Sequence, residues 1–361
     1  MKLLNFLFGC IAFIMLLTSC NAQGDQTNNS LPGFITKKTD SLFKKEKLPG
    51  IFIALLDKDE RQYYNFGFAD PDKKLAFDSA TMFEIGSITK TFTAYVVEAV
   101  LKEKGISDSS SILPYLPDSV QQNKAFENIH FLSLLNHTSG LPRLPENMDL
   151  ASMSMAPYDN YTSADLFTYL KTCTPKPDGK SNYSNLGAGL AGVLAERISG
   201  KTYAALLDQY IFLPFKMVTP DKAIGKTENQ SQGYFENIKS DYWNMNILAP
   251  AGGLKCSGSE MLTYLQSMSS PPSDQSKEII NKLLEPTVAV NPAIKVGRGW
   301  HMLEQKDKPV IYWHNGGTYG FSTFCAFLKG ENKAVLVVIN QFNKNAISDG
   351  LGISIMKKLL Q

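Results

Sequence analysis

Apolar runs with strand character stand near both ends of this chain, and helix-patterned sequence fills the middle. Ile51 to Leu56 and Arg61 to Phe68 read as a strand pair joined through the turn-forming Asp57-Lys58-Asp59. At the far end, Trp300 to Glu304, Val310 to Trp313, Phe321 to Leu328 and Ala334 to Asn340 read as further strands. Phe34 to Glu46 and Ile347 to Leu360 read as helices outside them. Thr89 to Lys104 is a helix with an apolar face at Phe92, Val96, Val97 and Val100, closed by Gly105. Ala188 to Ile198 and Tyr203 to Phe212 are shorter helices among Pro/Ser-rich connectors. Such an order implies one sheet assembled from both termini. The helical block, about Asp108 to Glu285, is then inserted as a second lobe, and clefts between lobes are where sites lie.

Composition narrows the function. With 43% hydrophobic residues in 361, the chain has ample apolar surface to offset its conformational entropy, which excludes a disordered protein. Lys+Arg 36 against Asp+Glu 34 gives no reason to expect nucleic acid or an acidic partner. Neither CxxC nor HExxH spacing occurs, so a zinc site is not expected, and no pattern names an organic cofactor. There is no internal repeat. A monomer is expected, with a small molecule or short peptide as partner.

The N-terminus reads as an address. Met1-Lys2 precedes an apolar run from Leu3 to Leu17, interrupted by Asn5, which is too short to span a bilayer and suits a secretory signal over residues 1–20. It ends Leu17-Thr18-Ser19-Cys20, which resembles the lipobox of bacterial lipoproteins, whose cysteine is acylated. The expectation is an envelope protein, in the periplasm or at the outer membrane, anchored through Cys20. Ordinary cleavage after Ala22 and release to the periplasm is the alternative. Residues 21–30 form a polar tether, and 31–361 the folded domain. Cys173, Cys256 and Cys325 lie too far apart for a disulfide framework and read as buried thiols, with a single bridge left open.

The chemistry centres on Phe83-Glu84-Ile85-Gly86-Ser87-Ile88-Thr89-Lys90. Positions i and i+3 share a helix face, so the Lys90 amine can reach Ser87 Oγ. Serine is a poor nucleophile until a neighbour takes its proton, and a desolvated lysine can do so. The alternative is a capping serine beside a solvated lysine. Two more pieces move the balance: Tyr183-Ser184-Asn185 before a helix, and His314-Asn315-Gly316-Gly317 after a strand.

That triple, in that order, resembles the serine β-lactamase and penicillin-binding-protein superfamily, and its YxN form resembles the branch of class C β-lactamases, D-alanyl-D-alanine carboxypeptidases and related esterases. Leu134 to Pro142 and Ala251-Gly252-Gly253-Leu254 are similar to segments of the same branch. The resemblance runs from about Leu31 to Asn340. It implies an α/β (α+β) fold of β-lactamase/transpeptidase type, with an antiparallel sheet built from both chain ends, flanked by helices, and an inserted mostly helical lobe. It implies an acyl-enzyme serine hydrolase cleaving amides or esters, with Ser87 as nucleophile and Lys90 as its proton partner. Tyr183 would be base and acid, made phenolate by Lys90 and His314. Asn185, His314, Gly316 and Gly317 would bind substrate, and the N–H groups of Ser87 and Gly317 would hold the oxyanion.

The third motif departs from the Lys-Thr-Gly of class C enzymes: His314 replaces the lysine and Asn315 the threonine. The positive charge becomes conditional on pH, with ordinary imidazole titrating near 6.5. No hydroxyl stands at Asn315 or Gly317 to take a substrate carboxylate, and Thr318 is nearest. Arg298 is a candidate carboxylate anchor, with a solvated arginine as the alternative. A small-molecule esterase or acyltransferase, and a β-lactam-acylated sensor without turnover, are the rival functions.

Other residues read as structure. His137 is expected to bond backbone, and Ser139 beside Gly140 to sit in a turn. Gly200 in Ser199-Gly200-Lys201-Thr202 reads as a helix C-cap rather than part of a phosphate loop. Met148, Met153 and Met155 read as gap fillers in a long loop.

Overall fold

The segment Ile51 to Leu56 has no polar face because neither of its faces meets water. In the computed structural model, which describes residues 30–148, 155–218 and 229–361, it forms the body of strand β1 (Gly50–Asp57) near the centre of a sheet. The expected signal, Cys20, residues 21–29 of the tether and Met153 lie outside the described residues. The other strands are β2 (Glu60–Gly67), β3 (Met82–Glu84), β4 (Gly233–Phe235), β5 (Ile238–Ser240), β6 (Lys255–Ser257), β7 (Val288–Asn291), β8 (Ile294–Val296), β9 (His301–Leu303), β10 (Ile311–Gly317), β11 (Ser322–Leu328) and β12 (Lys333–Ile339).

Eight of them make one antiparallel sheet in the order β2-β1-β12-β11-β10-β9-β8-β7. β1 pairs with β12 from Ile51↔Ile339 to Asp57↔Lys333, so both chain ends do build the sheet. The longer helices are α1 (Leu31–Glu46), α2 (Thr89–Glu103), α3 (Asn185–Ser199), α4 (Gly258–Ser269) and α5 (Asn345–Leu359), of which α1, α4 and α5 pack on the sheet. Ile51, Ile53, Leu55, Val335, Val337 and Ile339 pack beneath α1 and α5, whereas Phe52, Ala54, Leu56, Leu336 and Val338 join the larger core under the remaining helices. A strand covered on both faces gains nothing from polar alternation, which explains the continuous apolar runs.

Residues 108–285, where described, carry α3, α4 and several shorter helices alongside β4, β5 and β6, and α4 lies on β1 and β12 rather than apart from the sheet. Helices α2 and α3 pack on each other and carry one wall of the cleft. Residues 203–212 are not one helix: a short α-helix (Tyr203–Leu207) passes into a π turn (Asp208–Phe212). Cys173, Cys256 and Cys325 are buried free thiols. Met148 is buried in the main core, and Gly200 caps α3 in the left-handed conformation with φ 73°.

Candidate active site

Ser87 sits on a single 3₁₀ turn (Gly86–Ile88) between β3 and α2, and its hydroxyl caps nothing. The capping alternative is thereby removed. The turn opens at Gly86, whose φ of 51° suits glycine, and a Cβ there would come 2.7 Å from Gly317 N. Gly316 is tighter still, since a Cβ would meet Ile85 O at 2.0 Å. These two glycines let β10 lie directly against the serine turn, bringing Gly317 beside Ser87.

Lys90, one turn into α2, is 2% exposed. Its Nζ lies 3.0 Å from Ser87 Oγ, 2.8 Å from Asn185 Oδ1 and 2.6 Å from Ala251 O. Burial first, and then the charge of Arg143, push its pKa well below the ordinary lysine value. Nζ has all three oxygens within donating reach, and in the neutral amine two N–H groups serve Asn185 Oδ1 and Ala251 O, which leaves the lone pair facing Ser87 Oγ. Tyr183 hydrogen-bonds Ser87, and its ring centroid lies 4.8 Å from Lys90 Nζ. Burial raises the tyrosine pKa, outweighing the Ser87 hydrogen bond and Arg143, so the phenol keeps its proton. This corrects the expected phenolate: burial disfavours both charged forms at once.

A buckled loop holds Tyr183 in place. His137, with φ 65°, is buried, and its Nδ1 accepts the Ser184 N–H at 3.2 Å. Ser184 caps α3 by accepting from Gly187 N at 2.8 Å, and it donates to Pro142 O at 2.7 Å. The Arg143 carbonyl takes the N–H groups of Asn185 and Leu186. His137 thus binds backbone, and Ser139 Oγ accepts from Leu141 N at 3.4 Å in the turn.

His314 is 1% exposed, and its Nδ1 donates to Asn315 O at 2.6 Å. Its Nε2 is buried with no hydrogen-bond partner among the described residues. Burial, with His301, Lys90 and His137 nearby, drives its pKa well below the ordinary imidazole value. The expectation of a charge that switches near neutrality is therefore corrected: the ring is neutral throughout that range. Asn315 donates to Asp349 at 2.7 Å, and Thr318 donates to Glu84 at 2.6 Å, so neither side chain is free for substrate.

Arg298 is the other correction. It is 6% exposed, its Nε donates to Asp108 at 2.7 Å, and Glu98 lies 3.3 Å away. It is neither solvated nor part of the cleft, because buried carboxylates hold it elsewhere.

Ser87, Tyr183, Asn185, Gly316 and Gly317 line one cleft of about 590 Å³, with Lys90 as its buried floor. Sequence reasoning missed Arg143, Tyr158 and Trp243 on its walls. Arg143 directly follows the Leu134-to-Pro142 loop, which is the one signal that pointed near it. Among the described residues no cluster of His, Cys, Asp and Glu suits a metal, and no helix is long and apolar enough to cross a membrane.

Comparison with known proteins places this chain in the β-lactamase and penicillin-binding-protein superfamily of serine hydrolases. The sequence profile of the Beta-lactamase family matches residues 35–356, and the chain belongs to that family. It is 27% identical to a β-lactamase of Pseudomonas fluorescens, over 86% of this chain and 94% of that one. It is 26% identical to a β-lactamase of Providencia stuartii over 62% of this chain, and it spans only 56% of that protein's length. It is 25% identical to a penicillin-binding protein of Bacillus subtilis (strain 168), over 84% and 70% of the two chains.

Proposed function

We propose that the protein is an envelope hydrolase that cleaves amide or ester bonds through an acyl-Ser87 intermediate, in the manner of D,D-carboxypeptidases and β-lactamases. The observation that carries this reading is the contact set around Ser87 Oγ: Lys90 Nζ at 3.0 Å and a side-chain hydrogen bond shared with Tyr183. Ser87 Oγ attacks the carbonyl carbon as its proton passes to neutral Lys90. The N–H groups of Ser87 and Gly317 take the oxyanion. Tyr183, protonated at rest, gives its proton to the leaving nitrogen or oxygen and is reprotonated from Lys90, which returns the amine to neutrality. The carbonyl–leaving-group bond breaks and acyl-Ser87 remains. Water repeats the cycle, frees the acid and restores the Ser87 hydroxyl.

A peptidoglycan-type D-amino-acid peptide is the first substrate considered. Neutral His314 favours the second reading, a small-molecule esterase or acyltransferase on the same residues, because no fixed cation occupies the third motif. Intact mass and turnover should be measured with a penicillin, a D-Ala-D-Ala peptide and a short ester. Wild type should turn over at least one of them, and Ser87→Ala should lose turnover by ~10³-fold or more along with all covalent labelling. Labelling that maps to another serine would sink the assignment. A stable adduct with no turnover of any substrate would leave a sensor instead.

The anchoring proposal has its own test. Wild type should partition with membranes, and Cys20→Ala should be released or mis-processed. Equal solubility of both forms, with a mature N-terminus at Gln23, would refute it.

A further inference from the structure

Above the buried Lys90, every described residue on the walls of the cleft is neutral by type except Arg143. Its guanidinium carbon lies 5.2 Å from the centroid of the Tyr183 ring, and its side chain forms no ion pair with any described carboxylate. The other cations are occupied or absent from the cleft wall. Lys255 donates to Trp243 O at 3.2 Å behind it, and Arg298 is held by Asp108 and Glu98. Arg143 is nonetheless fixed at its root, because its carbonyl accepts Asn185 N at 2.9 Å and Leu186 N at 3.2 Å. A rooted side chain with an open fork of donors loses little entropy when it binds an anion, and a guanidinium matches a carboxylate with two parallel hydrogen bonds. Tyr158, Trp243 and Tyr319 give the cleft aromatic walls, which hold field lines in and strengthen a single charge.

We propose that Arg143 is a specificity-determining residue of this cleft and binds a carboxylate carried by the substrate close to the bond that Ser87 attacks. The proposal rests on the serine-hydrolase reading above. The charge of Arg143 already reaches the reacting groups, since it lowers the pKa of Lys90 and opposes the rise at Tyr183. A bound carboxylate cancels that field, so occupancy of the subsite also alters the proton balance at Lys90. Cancelling that field raises the Lys90 pKa, so selection for an acidic group acts through binding.

The test uses the full chain and three aryl esters of matched size: a butyrate, a hemisuccinate with its carboxylate on the acyl side, and a butyrate of a carboxyphenol with its carboxylate on the leaving side. The quantity read is the ratio of kcat/KM for each acidic ester to that for the neutral one. This ratio cancels any common effect of Arg143 on Lys90. Wild type should favour at least one acidic ester. Arg143→Gln should cut that preference by ~10-fold, chiefly in KM, and Arg143→Lys should keep part of it. Added salt should erode the wild-type preference and leave that of Arg143→Gln unchanged. Should Arg143→Gln not fold, the salt response of wild type decides alone. Equal ratios in wild type and Arg143→Gln on both arms, or a wild-type preference indifferent to salt, overturn the proposal while the neutral ester still reports an active serine. Loss of the neutral ester's turnover in wild type, or its survival in Ser87→Ala, would instead strike the hydrolase reading and the proposal with it.

Discussion

Three oxygens surround Lys90 Nζ, yet only Ser87 Oγ can also donate. The lysine is therefore poised to receive a proton from the serine and from nothing else. Its lowered pKa has a kinetic sign. The neutral base exists above that pKa, so kcat/KM for a neutral ester should fall as pH drops through it, and activity should persist well below the ordinary lysine range. His314→Gln, which keeps a donor for Asn315 O, should leave that acid limb in place. A limb that vanishes in His314→Gln would make the imidazole the titrating group after all. The i, i+3 spacing points to Ser87 and Lys90, whereas Tyr183 and Asn185 are reached only through the resemblance; the structure brings the four together. The charge states of His314 and Tyr183 are not legible in the sequence, because burial by distant elements sets them. Arg298 fails as a cleft residue for the same reason: Glu98 and Asp108 claim it only once the chain has folded.

At the level of elements, the seat between β10 and the serine turn decides how precisely the N–H groups of Ser87 and Gly317 are placed. A methyl at Gly316 would meet Ile85 O at 2.0 Å and Thr323 Oγ1 at 2.5 Å, and the first is backbone that leads into Ser87. One at Gly317 would find only Asn345 Oδ1, at 3.1 Å. Gly316→Ala should cost roughly 1–3 kcal/mol of stability, with a ~10²-fold loss of kcat/KM as the strand shifts. Gly317→Ala should melt close to wild type. Thermal melts and ester kinetics on the two variants check this, and equal melting losses would refute the seat. Long apolar elements such as β1, β12 and α2 were legible, because apolar content survives any register. β7 and β8 were not, since they are short, largely unburied strands at the sheet's edge, held by pairing and not by a core.

For the molecule as a whole, Glu84 ties stability to pH. It is 3% exposed, accepts from Thr318 Oγ1 at 2.6 Å and from Trp243 N at 2.5 Å, and burial lifts its pKa to about 7. The folded state holds this proton between the ordinary carboxylate pKa of 4.5 and about 7, where the unfolded chain has released it. The contribution is thus complete below the lower value and lost as pH rises to the upper, by at most about 3 kcal/mol. Glu84→Gln has no proton to lose, and its amide can serve the same two partners because the Thr318 hydroxyl can reverse. Denaturant titrations should show the stability of Glu84→Gln gaining on that of wild type from pH 5 to pH 8. A constant difference between them would refute the assignment. The pairing of Ile51 with Ile339 has a consequence for how the molecule comes into being. At 5–20 residues/s, β1 leaves the ribosome roughly 15–60 s ahead of its partner β12, with both faces apolar and its inner edge bare. For most of that wait Ser87 has no β10 beside it, so the proposed site is incomplete in a growing chain. A message cut short before residue 317 would yield no weakened enzyme, only a strand without its sheet.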